Sequence, residues 1–326
     1  MKILIADTFP ETYRERLVED GHECAYEPDV TADDLPGRVP GFEGLIVRST
    51  KVHGDTLRAT ETLRLVIRAG SGTNTIDSAT AAERGVYVCN VPGRNAIAVA
   101  ELAFGLLLAL DRRIPDNVDD LRAGRWNKKE YAKARGILGR RVGVVGLGRI
   151  GMAFAERAAA FGAEVYALAK RGRDPELAQR AEAIGVRFVD DLPSLARSCD
   201  VLSFHLPAAT ATRGLVDRDL LDAMQPGTIV LNTSRGEIID EDALIEAMDA
   251  KRIRAGLDVY VDEPGQSVGS IDSALARHPN VYGTHHIGAS TEQAQQAIAE
   301  EVVRMIDAYQ RGEVLHCVNL DPEPAT

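Results

Sequence analysis

The sequence predicts an α/β protein built from two doubly wound parallel-sheet units, and three observations carry that reading. Apolar runs of strand length alternate with polar, helix-compatible segments along most of the 326 residues. The alternation restarts midway, where "RRVGVVGLGRIGMAFAERAAAFGAEVYALA" supplies a fresh strand, turn, helix and strand. A glycine-rich turn, Gly146-Leu147-Gly148-Arg149-Ile150-Gly151, stands between the strand and the helix of that restart.

In the first block, "KILIAD", "GLIVRS", "LRLVIRAG" and "GVYVCNV" read as strands, with "PETYRERLVED" and "IDSATAAERG" as helical segments among them. Such near-continuous Val, Ile and Leu runs belong to parallel strands covered on both faces. After Pro92, "NAIAVAELAFGLLLALDRRIP" predicts a long helix whose apolar residues cover more than one face, so it is expected to be buried against something substantial. A basic, loop-like stretch, "RAGRWNKKEYAKARG", follows it and holds the only tryptophan, Trp126. Beyond the glycine turn the alternation runs through "DVLSFHLP", "GTIVLNTSRG", "IRAGLDVY" and "NVYGTHHIG", with "IDEDALIEAMDAKR" as a helix between them. A last helix, "STEQAQQAIAEEVVRMIDAYQRG", precedes a short tail, and no tandem repeat or low-complexity tract is present.

A formal net charge of -11 opposes general nucleic-acid affinity, because a sequence-independent phosphate binder needs a positive excess. Cys24, Cys89, Cys199 and Cys317 are scattered singly without CxxC spacing, so no metal site and no disulfide framework is expected and the thiols are taken as reduced. The N-terminus meets Asp7 and Pro10 before any apolar run long enough for a secretion signal, and no stretch approaches membrane-spanning length. A cytoplasmic protein without membrane partners is the expectation.

The glycines of the turn have separate tasks: a tight turn, close backbone approach to a pyrophosphate, and close packing of helix on strand. The helix start beside them offers free N–H groups and the positive end of the helix dipole. Gly146, Gly148, Arg149, Ile150 and Gly151 are therefore the candidate cofactor-phosphate residues of a Rossmann-type unit. The second strand of such a unit ordinarily ends in an Asp or Glu that receives the adenosine ribose hydroxyls. Here the position reads Ala169-Lys170-Arg171. An acid would repel a 2'-phosphate, whereas Lys170 and Arg171 place two cations where that phosphate would lie. NADP(H) is accordingly favoured over NAD(H), the alternative being that the two cations are solvated loop charges.

Three polar spots fall near the ends of strands predicted for the second block: Arg235 in "NTSRGEIIDEDAL", Glu263 in "LDVYVDEP" and His286 in "THHIGAST". Ligands gather at that edge of an open parallel sheet.

In this order, "VGLGRIG", "NTSRGEIIDEDALIEAM", "AGLDVYVDEP" and "HHIGAST" resemble the D-isomer-specific 2-hydroxyacid dehydrogenase family over almost the whole chain. Within the family the similarity points to the short D-3-phosphoglycerate dehydrogenases, because "GLIVRSTKV", "VIRAGSGTNTID", "NVPGRNAIAVAELAFG" and "LRAGRWNKKEY" also resemble their substrate-domain and arm segments. The resemblance implies two Rossmann- and flavodoxin-like domains with a cleft between them. A discontinuous substrate-binding domain of residues 1–92 and 287–326 would accept an inserted dinucleotide-binding domain of residues 93–286. The long apolar helix and the "RWNKKEY" arm look like the family's dimer-forming elements, so a homodimer is expected. The resemblance to short relatives without appended regulatory domains implies that feedback inhibition by serine through such a domain is not expected.

The implied chemistry moves a hydride between nicotinamide C4 and C2 of a 2-keto or 2-hydroxy acid, which needs a carboxylate clamp and a proton relay. By resemblance Arg235 binds the substrate carboxylate with a fork that lysine cannot copy, His286 is the acid/base, and Glu263 orients the imidazole. His285 is a rival to His286, which is preferred because it directly precedes "IGAST" as the family's catalytic histidine does. Asp258 would hold the nicotinamide carboxamide, Thr233 and Ser234 would line the ring's site, and His205 and Pro207 would enclose the adenosine half. Ser71 and Gly72 resemble the family's loop whose backbone N–H groups receive the substrate carboxylate. Arg48 and Arg68 stand where phosphoglycerate dehydrogenases hold cations for the distal phosphate, which implies a substrate with a second anionic group. A D-3-phosphoglycerate dehydrogenase-like enzyme leads, a glyoxylate or hydroxypyruvate reductase is the near alternative, a phosphite-type oxidoreductase is a third, and a non-catalytic dinucleotide-sensing protein is the alternative of another class.

Overall fold

Two parallel sheets organise the chain in the computed structural model, which describes residues 1–264 and 268–320. The first unit comprises Met1–Asn95, Pro264–Ser270 and Ser290–Thr326, and the second comprises Ala96–Glu263 and Ile271–Ala289. Residues 321–326, which the sequence reading places in the substrate-binding domain, lie outside the described residues.

Along the chain the first unit runs β1 (Lys2–Ile5), α1 (Glu11–Glu19), β2 (Glu23–Tyr26), α2 (Leu35–Arg38), β3 (Gly44–Val47), α3 (Gly54–Arg58), β4 (Leu65–Arg68), α4 (Ser78–Glu83) and β5 (Tyr87–Asn90). The second adds α5 (Ala96–Arg112), α6 (Ile114–Arg122), α7 (Lys128–Tyr131), β6 (Arg141–Val145), α8 (Arg149–Ala160), β7 (Glu164–Leu168), α9 (Pro175–Ala183), β8 (Arg187–Val189) and α10 (Leu192–Ser198). It continues with β9 (Val201–Phe204), α11 (Arg218–Ala223), β10 (Ile229–Asn232), a 3-10 turn at Gly236–Ile238, α12 (Glu241–Lys251), β11 (Arg254–Leu257) and β12 (Val281–Gly283). Helix α13 (Glu292–Gln310) returns to the first unit.

The first sheet has the order β2-β1-β3-β4-β5 with every pairing parallel. Side chains alternate between its two faces. Ile3, Ile5, Ile46 and Ile67 pack with Ile298, Val302 and Ile306 of α13, while Leu4, Leu45, Val47 and Val66 pack with Leu35, Leu57 and Ala81 from α2, α3 and α4. Both faces are thus covered, which is why these strands read as unbroken apolar runs. The order reverses between β1 and β3, so the ends of those strands, at Ala6-Asp7 and Arg48, flank a topological switch point.

In the second unit the order is β12-β11-β10-β9-β6-β7-β8, again parallel throughout. The chain leaves β6 toward β7 and β8 and returns on the other side at β9, so the switch point lies between β6 and β9. There His205 N donates to Val145 O at 2.8 Å, directly beside the glycine turn. Helix α5 packs on α8 and along β10 and β11 with Ala100, Ala103, Leu106, Leu107 and Leu110 buried, in keeping with the apolar coverage of its sequence.

Three local differences from the sequence reading have physical reasons. The long helix stops at Arg112, because Arg113 adopts a left-handed backbone (φ 50°) and α6 starts afresh with Pro115 in its first turn. Inside the basic stretch, Asn127 Oδ1 accepts from Glu130 N (3.2 Å) and caps the short α7. Strands β2 and β8 are edge strands, half-exposed and partly polar, so they lack the apolar signature of the inner strands. Among the described residues no helix is long and apolar enough to cross a membrane, and no group of three or more His, Cys, Asp or Glu side chains could hold a metal ion.

Candidate active site

At the end of β6 the chain turns through Gly146 with φ 98°, a left-handed conformation that favours glycine. A Cβ on Gly146 would stand 2.4 Å from His205 O, and one on Gly151 would stand 2.1 Å from Gly146 O. The turn, the first turn of α8 and the end of β9 therefore meet backbone against backbone. Gly148 differs, because a Cβ there would meet nothing within 4 Å and no side chain caps α8, whose N-cap it is. The twelve-residue helix presents its N-terminus to open space at the sheet's switch point.

Strand β7 ends at Leu168, and the exposed Ala169, Lys170 and Arg171 follow it. Among the described residues no hydrogen bond or ion pair engages Lys170 or Arg171. The cation that is fixed here is Arg173, which the sequence reading passed over. Its guanidinium donates to Leu147 O in the glycine turn (3.4 Å) and to Leu168 O at the strand end (3.1 Å), and it lies over the Phe188 ring at 5.1 Å.

The next strand ends bring His205, Thr233 and Ser234 to the same edge. His205 Nε2 lies 2.8 Å from Ser203 Oγ and its ring packs on Phe154, while its buried Nδ1 has no partner. Burial drives its pKa down to about 3, so this ring is neutral. Pro207 is exposed, and its carbonyl accepts from Thr212 Oγ1 (2.6 Å). Thr233 is buried with an unpartnered Oγ1. Asn232, also missed by the sequence reading, is fully buried and organises the turn: its Oδ1 accepts from Ser234 N (3.0 Å) and Ser234 Oγ (2.7 Å), and its Nδ2 donates to Arg235 O (2.8 Å).

Arg235 is half-buried, and its Nη1 donates to Ser234 O at 2.6 Å. The following Gly236 presses on the backbone of Tyr260, whose carbonyl carbon would be 2.2 Å from an added Cβ. That contact sets the arginine turn against the loop carrying Glu263. Glu263 Oε1 accepts from Tyr260 N (2.8 Å), and Oε2 lies 2.6 Å from His286 Nδ1. Burial pushes the Glu263 carboxyl up, but the hydrogen bond and charge of His286, the Tyr260 N–H and the Arg235 charge outweigh it and hold the group below its usual value. Arg235, Glu263 and His286 thus form one electrostatic cluster.

His286 has a left-handed backbone (φ 52°) and a half-exposed ring. Asp258, buried at the end of β11, fastens the loop beneath it: Oδ1 accepts from Thr284 Oγ1 (2.6 Å) and Ile287 N (2.8 Å), Oδ2 accepts from Gly288 N (2.8 Å), and the backbone carbonyl accepts from His286 N (2.8 Å). The carboxylate assigned by resemblance to the nicotinamide carboxamide is therefore largely engaged in building the histidine loop. His285 is exposed, and among the described residues no hydrogen bond or ion pair holds its ring.

In the first unit, Arg48 and Arg68 come to one sheet edge, because Arg68 pairs in register with Val47, the residue before Arg48. Asp7, a further residue missed from sequence, shapes the turn there through Oδ2, which accepts from Arg48 N (2.7 Å), Ser49 N (3.0 Å) and Thr50 N (3.0 Å). Arg48 Nη2 donates to Ser290 Oγ (2.9 Å), and desolvation, partly countered by Asp7, lowers the guanidinium pKa. The guanidinium of Arg68 lies over Gly70, where an added Cβ would stand 1.9 Å from Nη1. The half-buried Ser71-Gly72 turn follows, with Ser71 Oγ donating to Asn95 Oδ1 (3.0 Å) and Ser71 O accepting from Asn90 Nδ2 (2.6 Å).

The family model for the "D-isomer specific 2-hydroxyacid dehydrogenase, NAD binding domain" matches residues 104–288. The chain is 38% identical to a D-3-phosphoglycerate dehydrogenase of Methanocaldococcus jannaschii over 96% of its own length, and spans 58% of that relative. It is 40% identical to a hydroxypyruvate reductase of Thermotoga maritima over 84% of its length and 87% of the relative's. Its structure resembles that of an NADPH-dependent glyoxylate/hydroxypyruvate reductase from Sinorhizobium meliloti, with a TM-score of 0.80, 30% identity, and coverage of 100% of this chain and 99% of the other. With the glycine turn at the β6–β9 switch point and the arginine, glutamate and histidine cluster on the same edge, the chain belongs to the D-isomer-specific 2-hydroxyacid dehydrogenase family.

Proposed function

We propose that the protein is a nicotinamide-dinucleotide-dependent oxidoreductase that interconverts D-2-hydroxy acids and 2-keto acids and prefers NADP(H). The observation that carries this reading is the His286–Glu263 pair at 2.6 Å, on the sheet edge that also bears Arg235 and the glycine turn. The residues fit a dinucleotide: Gly148 opens onto space at an uncapped helix start, and His205 Nδ1 and Thr233 Oγ1 are buried polar atoms without partners. When bound, the cofactor supplies the hydride acceptor or donor.

The chain's own groups do the rest. Glu263 holds the imidazole by Nδ1, which leaves Nε2 to take the hydroxyl proton during oxidation and to return it to the carbonyl oxygen during reduction. The Glu263 carboxylate also stabilises the imidazolium formed between those two events. Arg235 grips the substrate carboxylate and draws charge from the reacting carbonyl. In the first unit, the Ser71-Gly72 turn and the Arg48 and Arg68 guanidiniums are assigned to anionic groups of the substrate, which favours a phosphorylated acid such as 3-phosphohydroxypyruvate. Lys170 and Arg171 are assigned to the 2'-phosphate of NADP(H). We also propose a homodimer, supported by the exposed apolar side chains of Ile114, Val118 and Leu121 on α6 and of Trp126 in the arm.

A hydroxypyruvate or glyoxylate reductase is the second reading, favoured by the cations after β7, since the Sinorhizobium meliloti reductase that the chain resembles is NADPH-dependent. Initial rates with 3-phosphohydroxypyruvate, hydroxypyruvate and glyoxylate, each with NADPH and NADH, decide between them. Preference for the phosphorylated acid supports the first reading, NADPH-dependent turnover of the small acids supports the second, and no turnover overturns both.

A further inference from the structure

Cys89 on β5 and Cys317 in the segment after α13 face each other across an isolated antiparallel bridge. Asn90 N donates to His316 O (3.3 Å) and Val318 N donates to Val88 O (2.9 Å). These bonds flank the two cysteines instead of joining them, so the pair occupies a non-hydrogen-bonded position. Opposed Cα atoms at such a position lie ~4.5 Å apart and their side chains approach most closely. A disulfide needs Cα atoms about 4.4–6.8 Å apart, so the backbone already holds both thiols within bonding reach. Both are free.

The bridge is anchored on either side. Asn319 Oδ1 accepts from Val88 N (2.8 Å) and its Nδ2 donates to Val86 O (2.9 Å), which fixes the tail to β5 two residues beyond Cys317. No other cysteine of the first unit competes, because Cys24 lies on β2 at the far edge of the sheet, four strand spacings or ~19 Å from β5. Cys199 is buried in the core of the second unit. The two thiols differ in access, Cys89 being 1% exposed and Cys317 half-buried.

We propose that Cys89 and Cys317 form a reversible thiol–disulfide site that fastens the segment after α13 covalently to β5 when the protein meets a low-molecular-weight disulfide. The more accessible partner reacts first. The Cys317 thiolate attacks one sulfur of the reagent, the reagent's S–S bond breaks, and one reagent thiolate leaves. The Cys89 thiol then gives up its proton, its sulfur attacks Sγ of Cys317, and the second reagent thiolate leaves. Two protein thiols are oxidised to one disulfide and the reagent is reduced to two thiols. Burial and the neighbouring Cys317 push the Cys89 thiol up, which leaves the more accessible Cys317 as the thiol that meets the reagent first. Closure fixes the strand end at Asn90, whose side chain holds the Ser71 turn. The site itself is independent of the proposed activity.

The test incubates the reduced full chain with oxidised glutathione under native conditions, followed by intact mass measurement and non-reducing peptide mapping. The expected product is lighter than the reduced protein by two hydrogens, carries one Cys89–Cys317 cross-link, and reverts with dithiothreitol. The cross-link persists in C24S and is absent from C317S and C317A. A stable glutathione adduct on Cys317 with Cys89 unmodified, a cross-link through Cys24, or an unchanged mass would each overturn the proposal.

Discussion

His286 places Nδ1 at 2.6 Å from Glu263 Oε2 from a left-handed backbone of φ 52°, a conformation that costs a residue with a Cβ about 1 kcal/mol. The cost is offset by Asp258, whose carboxylate and carbonyl together receive four hydrogen bonds from residues 284–288. Strain of this kind persists where neighbouring bonds over-determine a position.

Two substitutions separate the proton carrier from its support. H286A is expected to lower kcat by about 10²–10⁴ while the cofactor dissociation constant stays unchanged, because only proton transfer is removed. E263Q keeps the ring but removes the carboxylate charge that stabilises the imidazolium, so kcat is expected to fall about tenfold or more while the cofactor dissociation constant stays unchanged. Wild-type turnover in H286A, or wild-type turnover in E263Q, counts against these roles.

Cofactor choice is expected to divide between Arg171 and Arg173. R171A removes an unengaged exposed cation and should raise KM for NADPH roughly tenfold or more while sparing NADH. Arg173 ties Leu147 O to Leu168 O, so R173A loosens the glycine turn itself and should weaken both cofactors alike. Steady-state KM values for the two cofactors check this, and an equal effect of R171A on both removes the 2'-phosphate assignment.

The contrast between Arg171 and Arg173 marks what was legible in the sequence. Glycine at 146 and 151 is readable because few other residues tolerate φ 98° or an approach of 2.1 Å, so the residue type itself announces the geometry. Inner strands are readable because both faces are buried. Arg235, Glu263 and His286 are readable because each lies in a distinctive local motif. Arg173, Asn232 and Asp7 act through backbone carbonyls or N–H groups that any sequence supplies, so nothing in their neighbourhood signals the bond. The same holds for Cys89 and Cys317, whose meeting depends on where α13 delivers the tail. The half-exposed edge strands and the helix break at Arg113 were lost for want of an apolar period or a glycine to mark them.

Gly146 offers a test in which fold and site respond together. G146A combines a left-handed backbone with a Cβ 2.4 Å from His205 O, and the obstacle is backbone that cannot rotate away. The variant is expected to lose about 2 kcal/mol or more of stability and to bind either cofactor weakly, as the turn shifts away from α8. Thermal unfolding and cofactor fluorescence titration measure the two effects. A variant with unchanged melting temperature and cofactor affinity would show that the turn is not held by this contact.

Acid stability is expected to depend on Glu301, a buried carboxylate on α13 that receives Arg94 Nη2 (2.7 Å), the Arg304 guanidinium and His316 Nε2 (3.0 Å). The hydrogen bond from Arg304, working against burial and aided by Arg94 and His316, brings its pKa down from 4.5 to about 2. A carboxyl depressed in the folded state contributes stability that is complete above its unfolded pKa and is lost as pH falls through its folded one. The window therefore runs from pH 4.5 down to about 2, and the contribution surrendered across it is roughly 3 kcal/mol. E301Q cannot take on a charge, so it should be markedly less stable than the wild type near neutral pH and approach it as the window is crossed. Urea unfolding of both proteins at several pH values reads this directly. A gap between them that stays constant down to the bottom of the window would mean that the carboxylate charge is not what Arg94 and Arg304 hold.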